Sequence, residues 1–369
     1  MLRKLNPYFT VIKKQTFINK EPLSSHMGAL HTTVTYTVPF KNAESFRKEL
    51  DFFEAGRAVE LALYHMHETS REIRQLPRNR VGGMHGPILP LQERFKRQQY
   101  TAAGYARHLG LTHIILHPHK VKGDENERIR EQERTKTFLE KYTLETGITP
   151  VLETFAGRNR VFRPEEIVEQ GMLMDLDVAH LDTIRTLEII IAHSKKIHSV
   201  HLSGVEEGDE GDKGKQRKQH VPITTREELI IEQMLVCAWS GTIGIEYEDV
   251  YRNEARTDAI YFSNIIQGIE FQKKEMNNHA SMFFRKALQQ RRGYLALYLE
   301  GATKIKTGEY AEARRCFEEA LTYYEGHAMT HLLLSYALRG LKHDTRAKHH
   351  EQRCMQINPE LEKEIIHTQ

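Results

Sequence analysis

Gly147-Ile-Thr-Pro-Val-Leu-Glu-Thr-Phe-Ala-Gly157 reads as a buried strand that ends in a carboxylate. Val151 and Leu152 are apolar and strand-forming, and Pro150 sits at the strand entry, where a missing N–H does little harm. Glu153 arrives as the apolar run stops, so it falls at the strand's C-terminal mouth. Gly157 then opens a loop that carries Arg158 and Arg160. A carboxylate at a strand mouth beside a basic loop suggests a metal or acid/base site that faces an anion. Taken alone, an exposed Glu ending a strand would look the same, so the companions of Glu153 decide.

Outward from this stretch the same unit repeats. Strand-like runs are expected at Thr32–Val38, Ala58–Leu63, Gly82–His85, Thr112–His117, Thr149–Glu153, Met172–Asp177, Ile197–Leu202 and Thr242–Glu246. Helical patterns follow them at Ala43–Glu54, Ser70–Leu76, Gln92–Leu109, Asn126–Thr146, Arg163–Gln170, Asp182–Lys195, Thr225–Trp239 and Ala255–Met276. Thr225 with Glu228 reads as a capping box, and Pro164 suits a first helical turn. Strands that alternate with helices must lie parallel, because each crossover needs a helix. Eight such units over residues 29–277 predict a (β/α)8 TIM barrel. A doubly wound open sheet is the alternative, but its Gly-rich first turn is missing.

The bulk numbers bound the class. A chain of 369 residues suits one large domain and one small one. A net charge of +3 does not by itself signal nucleic acid. Cys237, Cys316 and Cys354 are too far apart for a Cys-based zinc site, and their odd number fits a reducing, cytoplasmic setting. No apolar run is long enough to span a membrane, and no secretory signal is expected. Residues 1–28 match nothing that follows and read as an extension.

In a barrel the C-terminal ends of the strands share one mouth. The third strand ends in Met84-His85-Gly86-Pro87, the fourth in His117-Pro118-His119, the fifth in Glu153, and the sixth in Asp175-Leu176-Asp177-Val178-Ala179-His180. The seventh ends in His201-Leu202-Ser203-Gly204 and the eighth in Glu246-Tyr247-Glu248. One strand-end His is more often a satisfied polar group than a ligand. Six consecutive strands that each bring an imidazole or carboxylate would leave those groups repelling or unsatisfied unless cations sat among them. Asp175, His119 and Glu248 lie one pleat from the chosen residues and share their faces.

With Leu152-Glu153-Thr154-Phe155-Ala156-Gly157 and Gln219-His220-Val221-Pro222, this set resembles the xylose-isomerase-like barrel superfamily, and within it the endonuclease IV family of apurinic-site nucleases. The resemblance spans about residues 30–270. It implies one divalent ion on His85, His117 and Glu153, and a second, bridged by Glu153, on Asp177, His201 and Glu246. His180 and His220 would hold a third, but Lys218 stands where the family has Asp, which leaves two ions or three. Mixed imidazole and carboxylate ligands suit zinc first, then manganese or iron.

Two activities use these residues. A bridged pair of ions suits hydrolysis of a phosphodiester, abasic-site DNA or another phosphate ester, with Glu153 and Glu246 as catalytic carboxylates. A single-metal sugar or sugar-phosphate isomerase, epimerase or dehydratase would use the same two as a facing acid/base pair. The rim supports phosphate through Arg158, Arg160 and Lys218, with Arg163 and Lys213–Arg217 nearby. The acidic run Glu206–Asp212 opposes them, and the rim loops show no clear base-wedging aromatic.

Past residue 277 the strands stop. Tyr294–His327 and Ala328–Leu361 are equal-length segments with small residues at matching places, among them Gly301, Ala313 and Ala320. Residues 278–369 resemble tetratricopeptide repeats, with a partial helix Ala280–Gln290 preceding the two segments. That implies a small all-α domain that binds a protein partner or self-associates; a helical appendage that only caps the barrel is the plainer reading. Two repeats are marginal alone, so the tail is expected to dock on the barrel or on another chain.

Overall fold

The computed structural model describes residues 32–39, 41–52, 59–63, 70–77, 80–87, 93–155, 160–206 and 218–361. The expected extension at 1–28 lies outside them. The strands are β1 (Thr33–Pro39), β2 (Val59–Ala62), β3 (Val81–His85), β4 (His113–Leu116), β5 (Thr149–Glu153), β6 (Leu173–Asp177), β7 (Ile197–Leu202), β8 (Gly204–Glu206), β9 (Lys218–Val221) and β10 (Thr242–Ile245). β1 to β7 and β10 form a closed barrel in which sequential strands are neighbours and β10 pairs with β1. Every pairing is parallel. β8 and β9 form a separate antiparallel pair between β7 and the last barrel strand. The helices that alternate with the strands are α1 (Ala43–Phe52), α2 (Ser70–Ile73), α3 (Glu93–Leu109), α4 (Glu125–Thr146), α5 (Pro164–Glu169), α6 (Thr183–His193), α7 (Thr225–Val236) and α8 (Arg252–Lys273).

Local chemistry sets the ends that matter. Asp124 caps α4 by accepting the Glu127 N–H, and Gly147 ends it in the left-handed region at φ 68, donating to Thr143 O. Glycine takes that conformation without a steric cost. The chain can then turn directly into β5, whose register sets Leu116 beside Leu152 and Glu153 beside Asp175. The capping box of α7 falls one residue earlier than expected. Thr224 is the N-cap, and Glu227 accepts its N–H at 2.8 Å. Glu228 is instead drawn to another helix start, described below.

The chain forms two compact units, His31–Pro222 with Ser240–Ala255, and Ile223–Trp239 with the residues from Arg256 onward. The first holds all the barrel strands. The second groups α7 and most of α8 with α9 (Asn277–Gln290), α10 (Tyr294–Lys306), α11 (Tyr310–Tyr323), α12 (Ala328–Gly340) and α13 (Asp344–Ile357). α12 and α13 repeat α10 and α11 at a constant offset, and each hairpin turns through a left-handed residue, Gly308 at φ 75 and Lys342 at φ 61. Gly301 leaves room for the Phe317 ring, which would lie 2.7 Å from an added Cβ.

The same device occurs one hairpin earlier. Glu275, at φ 58, turns α8 into α9, and an added Cβ on Gly268 would lie 2.4 Å from Phe284. The helix after the last barrel strand therefore also serves as the first helix of the repeat array. Buried carboxylates on α7 anchor the next hairpin. Glu228 accepts the Leu295 N–H at 2.8 Å and the Tyr261 hydroxyl at 3.1 Å, and it pairs with Arg291. Glu232 accepts the Tyr294 hydroxyl at 3.2 Å. Gly293 is required there, because an added Cβ would meet Glu228 at 2.3 Å. A carboxylate on the first free N–H groups of a helix also satisfies its dipole.

Candidate metal centre

The barrel interior is filled from the strand ends with imidazoles and carboxylates. His85, His201, Asp175 and Asp177 are fully buried, and Glu153 nearly so. His117 from β4 and His180 from the turn after β6 reach the same space with small exposed edges. His85 Nδ1 lies 3.0 Å from His117 Nε2, and His117 Nε2 lies 2.5 Å from Glu153 Oε2. The other Glu153 oxygen, Oε1, faces His180 Nε2 at 3.3 Å. His180 is also 3.3 Å from Asp177 Oδ2.

Three groups at this mouth have ligand atoms close enough to share an ion: His85, His117 and Glu153; Glu153, Asp175 and His201; and Asp177, His180 and His220; a fourth, Glu60, His85 and His201, lies beneath them. The first unites residues expected together. In the second, Asp175 rather than Asp177 stands against His201, with Oδ2 2.9 Å from Nδ1; Glu246 Oε2 is 3.4 Å from the same nitrogen. Asp177 is held one pleat higher. Its N–H donates to Thr154 Oγ1, and its Oδ1 accepts the Ala179 N–H at 2.7 Å. That turn delivers Asp177 to His180 and His220, so the third group has a carboxylate after all, although Lys218 replaces the Asp of the sequence pattern.

The oxygens test the fit to a cation. No hydrogen bond of proper geometry reaches Glu153 Oε2, either oxygen of Asp175, or Asp177 Oδ2. Imidazole nitrogens nevertheless lie 2.5 to 3.3 Å from three of those four atoms. Their ligand atoms lie close enough to share an ion, and nitrogen and carboxylate donors suit a borderline divalent ion.

The electrostatics agree. Burial and the neighbouring His201 act against a proton on His85, but Glu60 and Glu246 outweigh them and hold its imidazolium up to about 9. Burial also opposes a proton on His180, and Asp177 and Glu153 raise it to about 9. Against their own burial, the histidines hold Glu153 well below the usual carboxylate range and lower Glu246. Burial, with Glu153 and Glu246 nearby, pushes Asp177 up. Protons and metal cations are alternative ways of balancing the same carboxylates.

Above the cluster opens a cavity of about 350 Å³. Glu153, Glu246, Glu248 and Asp249 give it an acidic lining, and Phe155 and Tyr247 give it aromatic walls. His220 reaches it from a left-handed conformation, φ 57, a strained placement typical of functional positions. Arg160 stacks its guanidinium 4.0 Å over Phe155 and donates to Pro118 O. Arg158 and Lys213–Arg217 lie outside the described residues, as does the Lys218 side chain; the Lys218 backbone pairs with Glu206. His119 turns away to Glu131 at 3.3 Å.

Sequence reasoning missed Glu60 on β2. It is buried beneath the cluster and touches both His85 and His201. The available signal was glycine in strands, which marks a close approach. An added Cβ on Gly83 would lie 2.7 Å from Glu60 Oε2, and one on Gly244 would lie 2.5 Å from the His201 ring.

These features define a parallel (β/α)8 barrel with buried imidazoles and carboxylates at its C-terminal mouth that could hold metal. No protein-family model matches the chain, and no curated protein does. Among solved structures it is similar to a D-tagatose 3-epimerase-like protein, at 14% identity and a TM-score of 0.47 over 69% of this chain and 99% of the other. It is similar to an IolI protein with a bound zinc atom, at 13% identity and 0.44 over 68% and 99%. A MamA structure is similar over 30% of this chain and 74% of its own, at 16% identity and 0.26. At these TM-scores the likenesses bear on neither substrate nor reaction.

Proposed function

We propose that the chain is a metal-dependent hydrolase of phosphate esters, with abasic-site DNA as the substrate that the endonuclease IV resemblance implies. The observation that carries this reading is the placement of Glu153, with one oxygen toward His85 and His117 and the other toward His180. A carboxylate that faces two sets of imidazoles, and also has an oxygen within reach of Asp175 and His201, is suited to bridging ions. His85, His117 and Glu153 would hold one ion, Glu153, Asp175, His201 and Glu246 a second, and Asp177, His180 and His220 a third. Divalent ions there would supply positive charge to a phosphoryl group and acidity to a water. Glu246 lines the cavity beside His201, and an oxygen it leaves free of the ion would take a proton from an attacking water. Phe155 and Tyr247 exclude solvent from that side, and Arg160, fixed on Phe155, adds positive charge near Glu153. The test is metal content and hydrolysis together. Purified protein should hold at least two transition ions per chain, and His117→Ala should lose one of them along with cleavage of an abasic-site oligonucleotide or a simple phosphodiester.

A second reading is favoured by the cavity itself. Its size and acidic lining, with no Lys or Arg among the described residues that line it, suit a small polyhydroxylated substrate. Glu153 and Glu246 would then be the facing acid/base pair of a single-metal sugar isomerase, epimerase or dehydratase. Sugar conversion that survives His117→Ala, with one ion per chain, would establish it over the hydrolase. A protein partner, or self-association, through the helical repeats belongs to the same proposal, as does a cytoplasmic setting. Among the described residues no helix is long and apolar enough to cross a membrane. Sedimentation of the full chain, with and without α12 and α13, tests self-association.

A further inference from the structure

We infer that Glu60 is a positioning residue that fixes His85 and His201 together, so that one buried carboxylate oxygen sets the geometry of two ion positions at once. The inference rests on the metal-centre reading above and assigns Glu60, which is within reach of an ion shared with His85 and His201, as their hydrogen-bond partner rather than as a third ligand.

Glu60 Oε1 lies 2.9 Å from His201 Nε2 and 3.1 Å from His85 Nε2. It also accepts the Thr37 hydroxyl at 3.2 Å. A carboxylate only accepts, so the ring nitrogen that faces it must carry the hydrogen. Both rings therefore turn their Nε2–H down to Glu60 and their Nδ1 up to the cluster. The upper contacts agree. His85 Nδ1 faces His117 and Glu153, and His201 Nδ1 faces Asp175 and Glu246. The rings stack with centroids 4.5 Å apart and planes 29° apart, so neither can rotate freely past the other. Buried metal-binding histidines usually need such a partner on the far nitrogen, and its loss typically weakens metal binding by about 10- to 100-fold. Glu60, His85 and His201 are close enough to share an ion themselves, but each histidine also belongs to a group of its own at the mouth, His85 with His117 and Glu153, and His201 with Glu153 and Asp175, so one partner serves both.

The surroundings make room for this arrangement. Gly83 stands against Glu60, and Gly244 stands against His201 and near Glu60. Below Glu60 lies a cavity of about 210 Å³ at the starts of the strands, which it lines with Gly83, His113 and His198. Its position under the cluster is thus set by β2 and Thr37 from one side and by two side-chain-free strand positions from the other.

The test is a resolved zinc titration of the full chain, wild type against Glu60→Ala, Glu60→Gln and Gly83→Ala, with thermal melts to confirm folding. Glu60→Ala should weaken the two tightest ions together, each by about 10- to 100-fold. Glu60→Gln keeps an accepting oxygen, so it should retain the full ion count with less than about a tenfold loss. Gly83→Ala leaves Glu60 in the chain but displaces its carboxylate. It should reproduce part of the double loss, and it keeps the test open if Glu60→Ala fails to fold. Wild-type affinity in Glu60→Ala, or weakening of one ion only, would overturn the inference. Loss of a whole ion in Glu60→Gln would also overturn it, because Glu60 would then be a ligand. If wild-type protein binds no ion, the metal-centre reading fails separately. Crystals of Glu60→Ala then decide by whether the His85 and His201 rings have turned.

Discussion

Raising the pH should tighten metal binding steeply between pH 7 and 9. His85 and His180 each hold a proton up to about 9, and each would give it up to become a ligand. At pH 7 an imidazole with that pKa is neutral about 1% of the time, so each of the two ions they serve loses roughly 100-fold in apparent affinity. One pH unit upward recovers about tenfold, or about 1.4 kcal/mol, at each of those ions. Burial and its carboxylate neighbours push Asp177 up as well, so its proton acts in the same direction. The metal-free fold should behave oppositely. Both imidazole pKa values are raised on folding, so their stabilising contribution is complete below about 6.5 and is lost as pH climbs through about 9. The assay is zinc competition against a chelator calibrated at each pH, alongside thermal melts of the chelator-treated protein. Zinc affinity that stays flat from pH 7 to 9, or falls, would refute the charge balance derived for this site.

Three further outcomes follow from particular contacts. Asp175→Asn and Asp177→Asn should each remove a different ion, because the two carboxylates serve different histidines; metal analysis showing the same ion lost from both would contradict that division. Glu228→Ala should cost about 1–3 kcal/mol in chemical denaturation, since it leaves the Leu295 N–H at the start of α10 without its acceptor and removes one of two carboxylate partners of half-buried Arg291, the other being Asp258. Gly301→Ala should cost about 1–3 kcal/mol and lower the melting temperature, because the new methyl overlaps the Phe317 ring.

The barrel was legible because each strand is a short apolar run that ends in a polar residue, and parallel pairing carries those ends to one rim. β5, for example, runs from Thr149 to Glu153 as expected. His85, His117, Glu153, His201 and Glu246 were legible for the same reason. The layer of Asp175 against Asp177 was not. Side chains two apart on a strand share a face, and only the turn bonded to Asp177 Oδ1 separates their roles. Glu60 sits in the four-residue strand Val59–Ala62, where one polar residue among apolar ones carries no sign of depth. The first repeat hairpin escaped notice because α8 also reads as the helix that closes the barrel's strand–helix alternation. The capping box slipped by one because both Glu227 and Glu228 follow two threonines, and only the contact with Leu295 tells them apart.

Anomalous diffraction from zinc-loaded crystals addresses the central claim most directly. At least two peaks should appear at coordination distance from Glu153, one beside His85 and His117 and another beside His201 or His180. A density map with zinc at none of these side chains would contradict the shared-cation account.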